Sequence, residues 1–127
     1  MSPSQPVTLF ASAARTVTPA ASAIFDGLPA LYRGILLLID VTAVTSTPSV
    51  VFDVDAHTSA GWTTQLASAA VTDSHLNTTR VLVCHPDATT DRANLVEKTA
   101  IVDKWRVTAT HGNANSITYN VKAFFLP

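Results

Sequence analysis

Lys104-Trp105-Arg106-Val107-Thr108-Ala109-Thr110, then His111-Gly112-Asn113-Ala114-Asn115-Ser116, then Ile117-Thr118-Tyr119-Asn120-Val121-Lys122-Ala123-Phe124-Phe125 is the stretch whose reading decides the fold. On the first arm Trp105, Val107 and Ala109 alternate with Arg106, Thr108 and Thr110. On the second, Ile117, Tyr119, Val121 and Ala123 alternate with Thr118, Asn120 and Lys122. Side chains of a strand point to opposite faces with a period of two, so each arm has one apolar and one polar face. Residues 111–116 hold a Gly and two Asn, types that tolerate left-handed backbone at a turn. The pattern predicts a long antiparallel hairpin, with the Trp105 and Ile117 faces in a core and the turn and last residues turned to solvent or to other chains.

Working outward, residues 31–44 form the second anchor. Ile35-Leu36-Leu37-Leu38-Ile39 is apolar on both faces, as for a strand covered on both sides. The run is short and flows into β-branched Val41-Thr42-Ala43-Val44, which favours a strand over a helix. Residues 49–57 follow Ser46-Thr47-Pro48 as another strand, with Val50, Phe52 and Val54 on one face and Val51, Asp53, Asp55 and His57 on the other. Joined across residues 45–48, these two read as a hairpin or adjacent pair. Residues 7–18 alternate loosely, with Val7, Leu9, Ala11 and Ala13 against Thr8, Phe10, Ser12 and Ala14, and predict an edge strand. Residues 61–66 and 78–84 give two more strands. Short helical turns are weakly signalled over 20–25 and 94–99, and residues 86–99 read as a polar loop. Residues 1–6, with two Pro and two Ser, read as a flexible or partner-ordered arm.

The expected fold is therefore all-β: one domain over 1–127, an antiparallel β-sandwich or jelly-roll-like barrel of about seven to eight strands. Eighteen threonines support strands, and seven prolines argue against long helices. A chain of 127 residues suits one independent core.

Charged residues make up 13% and the net charge is −1, which argues against a nucleic-acid partner. No apolar run is long enough for a membrane helix, and the first residues lack the pattern of a secretory signal, so synthesis in a cytoplasm is expected. The single Cys84 continues an apolar run and is expected to be buried and unpaired.

Candidate chemistry is sparse. Asp53, Asp55 and His57 share a strand face at i, i+2 and i+4 and are weak candidate metal ligands. A single strand splays such side chains, so a polar solvent face is the stronger reading. His57, His75, His85 and His111 come with no nucleophile-elbow, zinc-helix or paired-cysteine motif, and an enzyme and a cofactor are not expected. Trp62, Tyr32, Tyr119 and Trp105 could line a sugar platform, although strand aromatics are more often core. Phe124, Phe125 and Leu126 are the candidate subunit contact, since consecutive aromatics on a strand cannot share one face.

Three segments carry a family resemblance: Ala14-Arg15-Thr16-Val17-Thr18-Pro19; residues 33–50, from Arg33-Gly34-Ile35-Leu36 to Thr47-Pro48-Ser49-Val50; and residues 105–119, from Trp105-Arg106-Val107-Thr108 to Ser116-Ile117-Thr118-Tyr119. Together the chain resembles small structural virion proteins of tailed bacteriophages. The resemblance implies a non-enzymatic virion component assembled in the host cytoplasm, with the major capsid protein or neighbouring virion proteins as partners and a homo-oligomeric state. Within that class a capsid decoration or cement protein is favoured. A head–tail connector, neck or tail-associated protein is the alternative, and a carbohydrate-binding sandwich is the second alternative.

Overall fold

The structure is a computed structural model that describes residues 5–26, 28, 31–88, 95–97 and 104–127. Among these the chain is all-β. The strands are β1 (Val7–Arg15), β2 (Phe25–Asp26), β3 (Gly34–Val44), β4 (Ser49–Thr58), β5 (Gly61–Ala67), β6 (Val71–Thr72), β7 (Thr78–Cys84), β8 (Val96–Glu97), β9 (Lys104–His111) and β10 (Ile117–Leu126), with one 3-10 turn at Asp73–His75. Two sheets face each other as a sandwich. The first has the order β1-β10-β3-β7-β8 and the second β2-β9-β4-β5, with β6 beside β4. Ten strands exceed the expected seven to eight because β2, β6 and β8 are two-residue pieces too short to leave a periodic signal. The expected all-antiparallel pairing fails once: β7 and β8 are parallel.

The predicted hairpin is not one. β9 pairs with β4, from Val50 opposite His111 to Ala56 opposite Trp105, while β10 lies between β1 and β3. Residues 112–116 therefore cross from one sheet to the other as an arch. Residues 45–48 do the same between β3 and β4, which also belong to different sheets. Alternation cannot separate the two arrangements, because both turn the same side chains to the core. The arches lie side by side and are tied together. Thr45 N–H donates to the Ser116 carbonyl at 2.9 Å and Gly112 N–H to the Ser49 carbonyl at 2.8 Å. The Asn113 and Asn115 amides both donate to the Thr47 carbonyl, at 2.9 and 3.1 Å. Left-handed backbone falls on Ser46 (φ 54°) rather than on the Gly or Asn residues of the second arch. The tight hairpin is β4–β5, turning at Ser59-Ala60 into Gly61, whose φ of 103° a side chain would rarely adopt.

The core comes from both arms as the alternation predicts. Trp105, Val107 and Ala109 meet Ile117, Tyr119, Val121 and Ala123 across the sandwich, all at most 1% exposed. β3 adds Ile35, Leu37, Ile39 and Val41, and β4 adds Val50, Phe52 and Val54. Each such side chain contributes roughly 1.5–3 kcal/mol on burial. Phe10 and Phe52 each pack against Tyr119 in a T-shaped arrangement, with ring centroids 6.3 and 5.1 Å away. Cys84 is buried and free, and burial followed by the Glu97 charge pushes its thiol up to about 12.

β1 is an edge strand, as expected, but it ends at Arg15, and its simple alternation fails. Irregularities between Thr8 and Phe10 and between Phe10 and Ala13 shift the register and turn Phe10 into the core. The Arg15 guanidinium bridges the widened gap, donating to the carbonyls of Ala11 (2.7 Å), Ala13 (3.1 Å) and Tyr119 (3.0 Å). Residues 20–25 are not helical. Ser22 borders β9, donating its N–H to the Val107 carbonyl at 2.9 Å and accepting the Val107 N–H on its hydroxyl at 2.8 Å. Phe25 then stacks on Trp105 with ring centroids 4.5 Å apart. The exposed side of β9 needs backbone partners, and that demand outweighs the alanine-rich local preference. Of the helical turn expected over 94–99, the described residues are Leu95, at a turn, and Val96–Glu97, which form β8; the rest lies outside the described residues, as do residues 1–4 of the expected arm.

Candidate docking face and the polar face opposite

β3 runs through the middle of the first sheet, with β10 on one side and β7 on the other. Residues opposite each other in register share a face, so the outward side of this sheet is built in rows. One row is Phe124, Leu36 and Val83, which continues to Val96 on β8. The next is Lys122, Leu38 and Val81. The third is Asn120, Asp40 and Thr79. The sequence reads the Ile35 run as covered on both sides. Among the described residues the two sides differ in degree: Ile35, Leu37 and Ile39 are fully buried, Leu36, Leu38, Val83 and Phe124 are half-buried, and Val81 is 40% exposed.

The polar row borders a shallow cleft of about 320 Å³ lined by Asp40, Thr42, Asn77, Thr78, Thr79 and Asn120. Thr79 donates its hydroxyl to Asp40 at 2.5 Å, while the side-chain amide oxygen of Asn120 is buried with no hydrogen-bond partner.

The candidate contact residues Phe124, Phe125 and Leu126 divide as strand geometry requires. Phe124 points outward with Leu36. Phe125 packs at the core margin, 6.3 Å from Trp105 edge-on and 6.0 Å from Tyr32. Leu126 is paired to Gly34, and its carbonyl accepts the Arg33 N–H at 2.8 Å. A Cβ at Gly34 would collide with the Cys84 carbonyl and the His85 ring, so only glycine fits this end of β3. Leu126 falls on the same outward side as Phe124, and His85 is hydrogen-bonded to the Pro127 carbonyl at 2.6 Å, so the end of β10 is tied to the domain through its backbone.

The outward side of the second sheet has different chemistry. Asp53, Asp55 and His57 do lie along β4, but neighbouring strands decide what each does. Asp55 is buried and accepts from Thr64 (3.4 Å), Thr108 (3.3 Å) and Arg106 (3.5 Å). Arg106 also lies over the Trp62 ring, 4.1 Å from its centroid. The His57 and Trp62 rings meet in a T-shaped arrangement with centroids 5.0 Å apart. Asp53 has one buried oxygen without a partner, and burial followed by the Asp55 charge raises its carboxyl above the ordinary value. Among the described residues no three His, Cys, Asp or Glu side chains are arranged to hold a metal ion.

The aromatics of the candidate sugar platform do not share a surface. Trp105 and Tyr119 are fully buried, Trp62 is half-buried on the second sheet, and Tyr32 lies just before β3 of the first. The histidines are also dispersed. His57 lies against Trp62, His75 caps the 3-10 turn by accepting the Thr72 N–H at 3.0 Å, and His85 accepts the Asp87 N–H at 3.0 Å. His111 is hydrogen-bonded to the Tyr119 hydroxyl at 3.0 Å. Burial and then the Arg15 charge lower the His111 pKa, and burial pushes the Tyr119 hydroxyl up to about 12 against the opposing pull of Arg15.

Arg15 and Arg106 organise these clusters, and neither stands out in the sequence. Alternation puts Arg106 on the polar face of its strand, but only the pairing of β9 with β4 brings it to Asp55. Comparison of the chain with known protein families, with curated proteins and with solved structures found no match.

Proposed function

We propose that this chain is a non-enzymatic structural protein of a tailed-phage virion, binding the assembled capsid shell as a decoration or cement protein. The observation that carries the reading is the outward face of the first sheet. Leu36, Leu38, Val81, Val83 and Phe124 make a contiguous apolar surface on rigid central strands, on the side away from the core. Contiguous apolar patches of this kind occur where a protein meets another protein, a membrane or a ligand, and the flat sheet surface here suits another protein. The resemblance to virion proteins adds to it, since residues 33–50 and 105–119 cover the two arches and much of the strands that frame them.

The mechanism is burial. Apolar contact stabilises a joint by roughly 25 cal/mol per Å² before ordering costs are subtracted. Repetition of one weak contact over a symmetric shell multiplies it through avidity. The partners are the major capsid protein or neighbouring virion proteins, and the place of action is the virion, assembled in the host cytoplasm. A neck or tail-associated position is the second reading, favoured by the same face. Position and copy number in a reconstructed particle separate the two: hundreds of copies on the shell support decoration, and a single ring supports the neck. Absence from the particle overturns both.

A further inference from the structure

We propose that the outward face of the first sheet is where two copies of this chain pair. The inference rests on the docking reading above and takes the neighbour on that surface to be a second copy of this chain, so that the unit added to the shell is a pair.

The argument is the placement of charge. On the outward positions of β10, β3 and β7 the ionisable groups among the described residues are one cation, Lys122, and one anion, Asp40. They sit on adjacent strands and in adjacent rows, with Leu38 and Val81 beside them. Strands are spaced roughly 4.8 Å apart and same-face residues roughly 6.8 Å apart along a strand. A two-fold axis lying in this face and running obliquely past Leu38 and Val81 sets Lys122 of each copy against Asp40 of the other. The same operation brings Leu38 and Val81 onto or beside their own counterparts. An isologous interface needs this kind of self-complementarity.

The face also has the layout of a protein joint. The Phe124, Leu36, Val83 row and the Leu38, Val81 pair are apolar, and the Asn120, Asp40, Thr79 row forms a polar margin. One lysine balanced by one aspartate does not suit an anionic lipid surface or a nucleic acid, both of which call for an excess of cations. The outward face of the second sheet offers no equal opportunity, because Asp55 and Arg106 already satisfy each other within the chain.

The test is sedimentation of the purified chain over a concentration series, with four variants. The wild type is expected to pass from monomer to dimer. Leu38→Asp is expected to stay monomeric while its circular dichroism and cooperative melting are retained, since the site is on the outside. Lys122→Asp and Asp40→Lys are each expected to weaken pairing by about tenfold, through like charges brought together. The double reversal is expected to restore it, which a general loss of fold would not allow.

A wild-type chain that remains monomeric throughout overturns the proposal, as does a dimer that persists in Leu38→Asp. A double reversal no tighter than the single ones overturns the oblique two-fold. Particle incorporation is scored separately. If the wild-type chain is monomeric yet joins the particle, and Leu38→Asp does not, the same face contacts the shell. Pairing then falls while the docking reading stands.

Discussion

The two outward faces of this sandwich solve the same problem in opposite ways. Each covers the outer side of a sheet whose inner side is packed core. On the second sheet, Asp55 draws in Thr64, Thr108 and Arg106, and Arg106 lies over Trp62, so the face completes its interactions within the chain. On the first sheet, Leu36, Leu38, Val81, Val83 and Phe124 leave apolar area that water meets and nothing in the described chain covers. A self-satisfied face stabilises the monomer, whereas an uncovered apolar face gains only when something else is placed on it. Mutations on the second sheet should therefore register in stability, and mutations on the first should register in association.

The largest expected effect is at Asp55. Asp55→Ala removes an acceptor that is 6% exposed and serves three donors, one of them a cation, and leaves Arg106 partly buried without its anion. A loss of roughly 2 kcal/mol is expected from the unsatisfied groups. Urea unfolding reads it as a lower midpoint at unchanged slope. A loss below about 0.5 kcal/mol would reduce the network to an ordinary surface ion pair and erase the contrast between the faces.

Leu38→Thr on the first sheet is the matching change and should behave in the opposite way. Threonine is β-branched, which leucine is not, and so favours the strand, while it removes part of an apolar side chain on the outer face. Monomer stability is expected to move by no more than about 0.5 kcal/mol, as for surface positions in general. Self-association at a given concentration is expected to fall. A drop comparable to that of Asp55→Ala would mean that the outer face is held by contacts within the chain.

Both faces were legible in part. Alternation along residues 104–109 and 117–123 assigned inner and outer side chains correctly, because burial follows the pleat whatever the strand pairs with. It could not assign partners. A link of five or six residues suits a hairpin and an arch alike, and the choice is made by long-range pairing of β9 with β4 and β10 with β3. For the same reason Asp53, Asp55 and His57 could be placed on one face while Arg106, which decides the role of Asp55, could not be brought to them. Phe10 was lost to a bulge, and β2, β6 and β8 are too short for any period to show. The apolar outer row was visible as the unbroken run 35–39, but whether it was covered depended on neighbours that a single strand does not name.

Acid separates the arch end from the polar face by the sign of its effect. The folded chain lowers the His111 pKa, so the unfolded chain binds that proton first as pH falls. The contribution of neutral His111 is therefore fully present above the ordinary histidine value near 6.5 and is lost as pH drops below it. The loss should be small, since the ring is partly open to solvent, which screens Arg15. His111→Gln is expected to flatten the pH dependence of the urea midpoint between about pH 7 and 5. An unchanged slope would show that the buried Nδ1 and Arg15 place no constraint on the protonated ring.

Asp53 carries the smallest and opposite effect. Its carboxyl is raised by burial and by Asp55, so ionisation costs the folded state something that the unfolded chain does not feel. Stability from this group is greatest where the carboxyl is protonated and is lost as pH rises through the folded value, which lies above 3.8. Asp53→Asn keeps the shape, removes the repulsion from Asp55 and replaces an unpartnered buried oxygen with a group that can donate. At neutral pH the variant should match or exceed the wild type by a few tenths of a kcal/mol, small because solvent screens the pair. Its stability should also lack the rise that the wild type gains from this group on acidification toward pH 4. A variant weaker by more than about 1 kcal/mol would mean that Asp53, like Asp55, is held by donors of its own. The second sheet would then have no strained carboxylate, and its face would be more completely self-satisfied than the single open oxygen of Asp53 indicates.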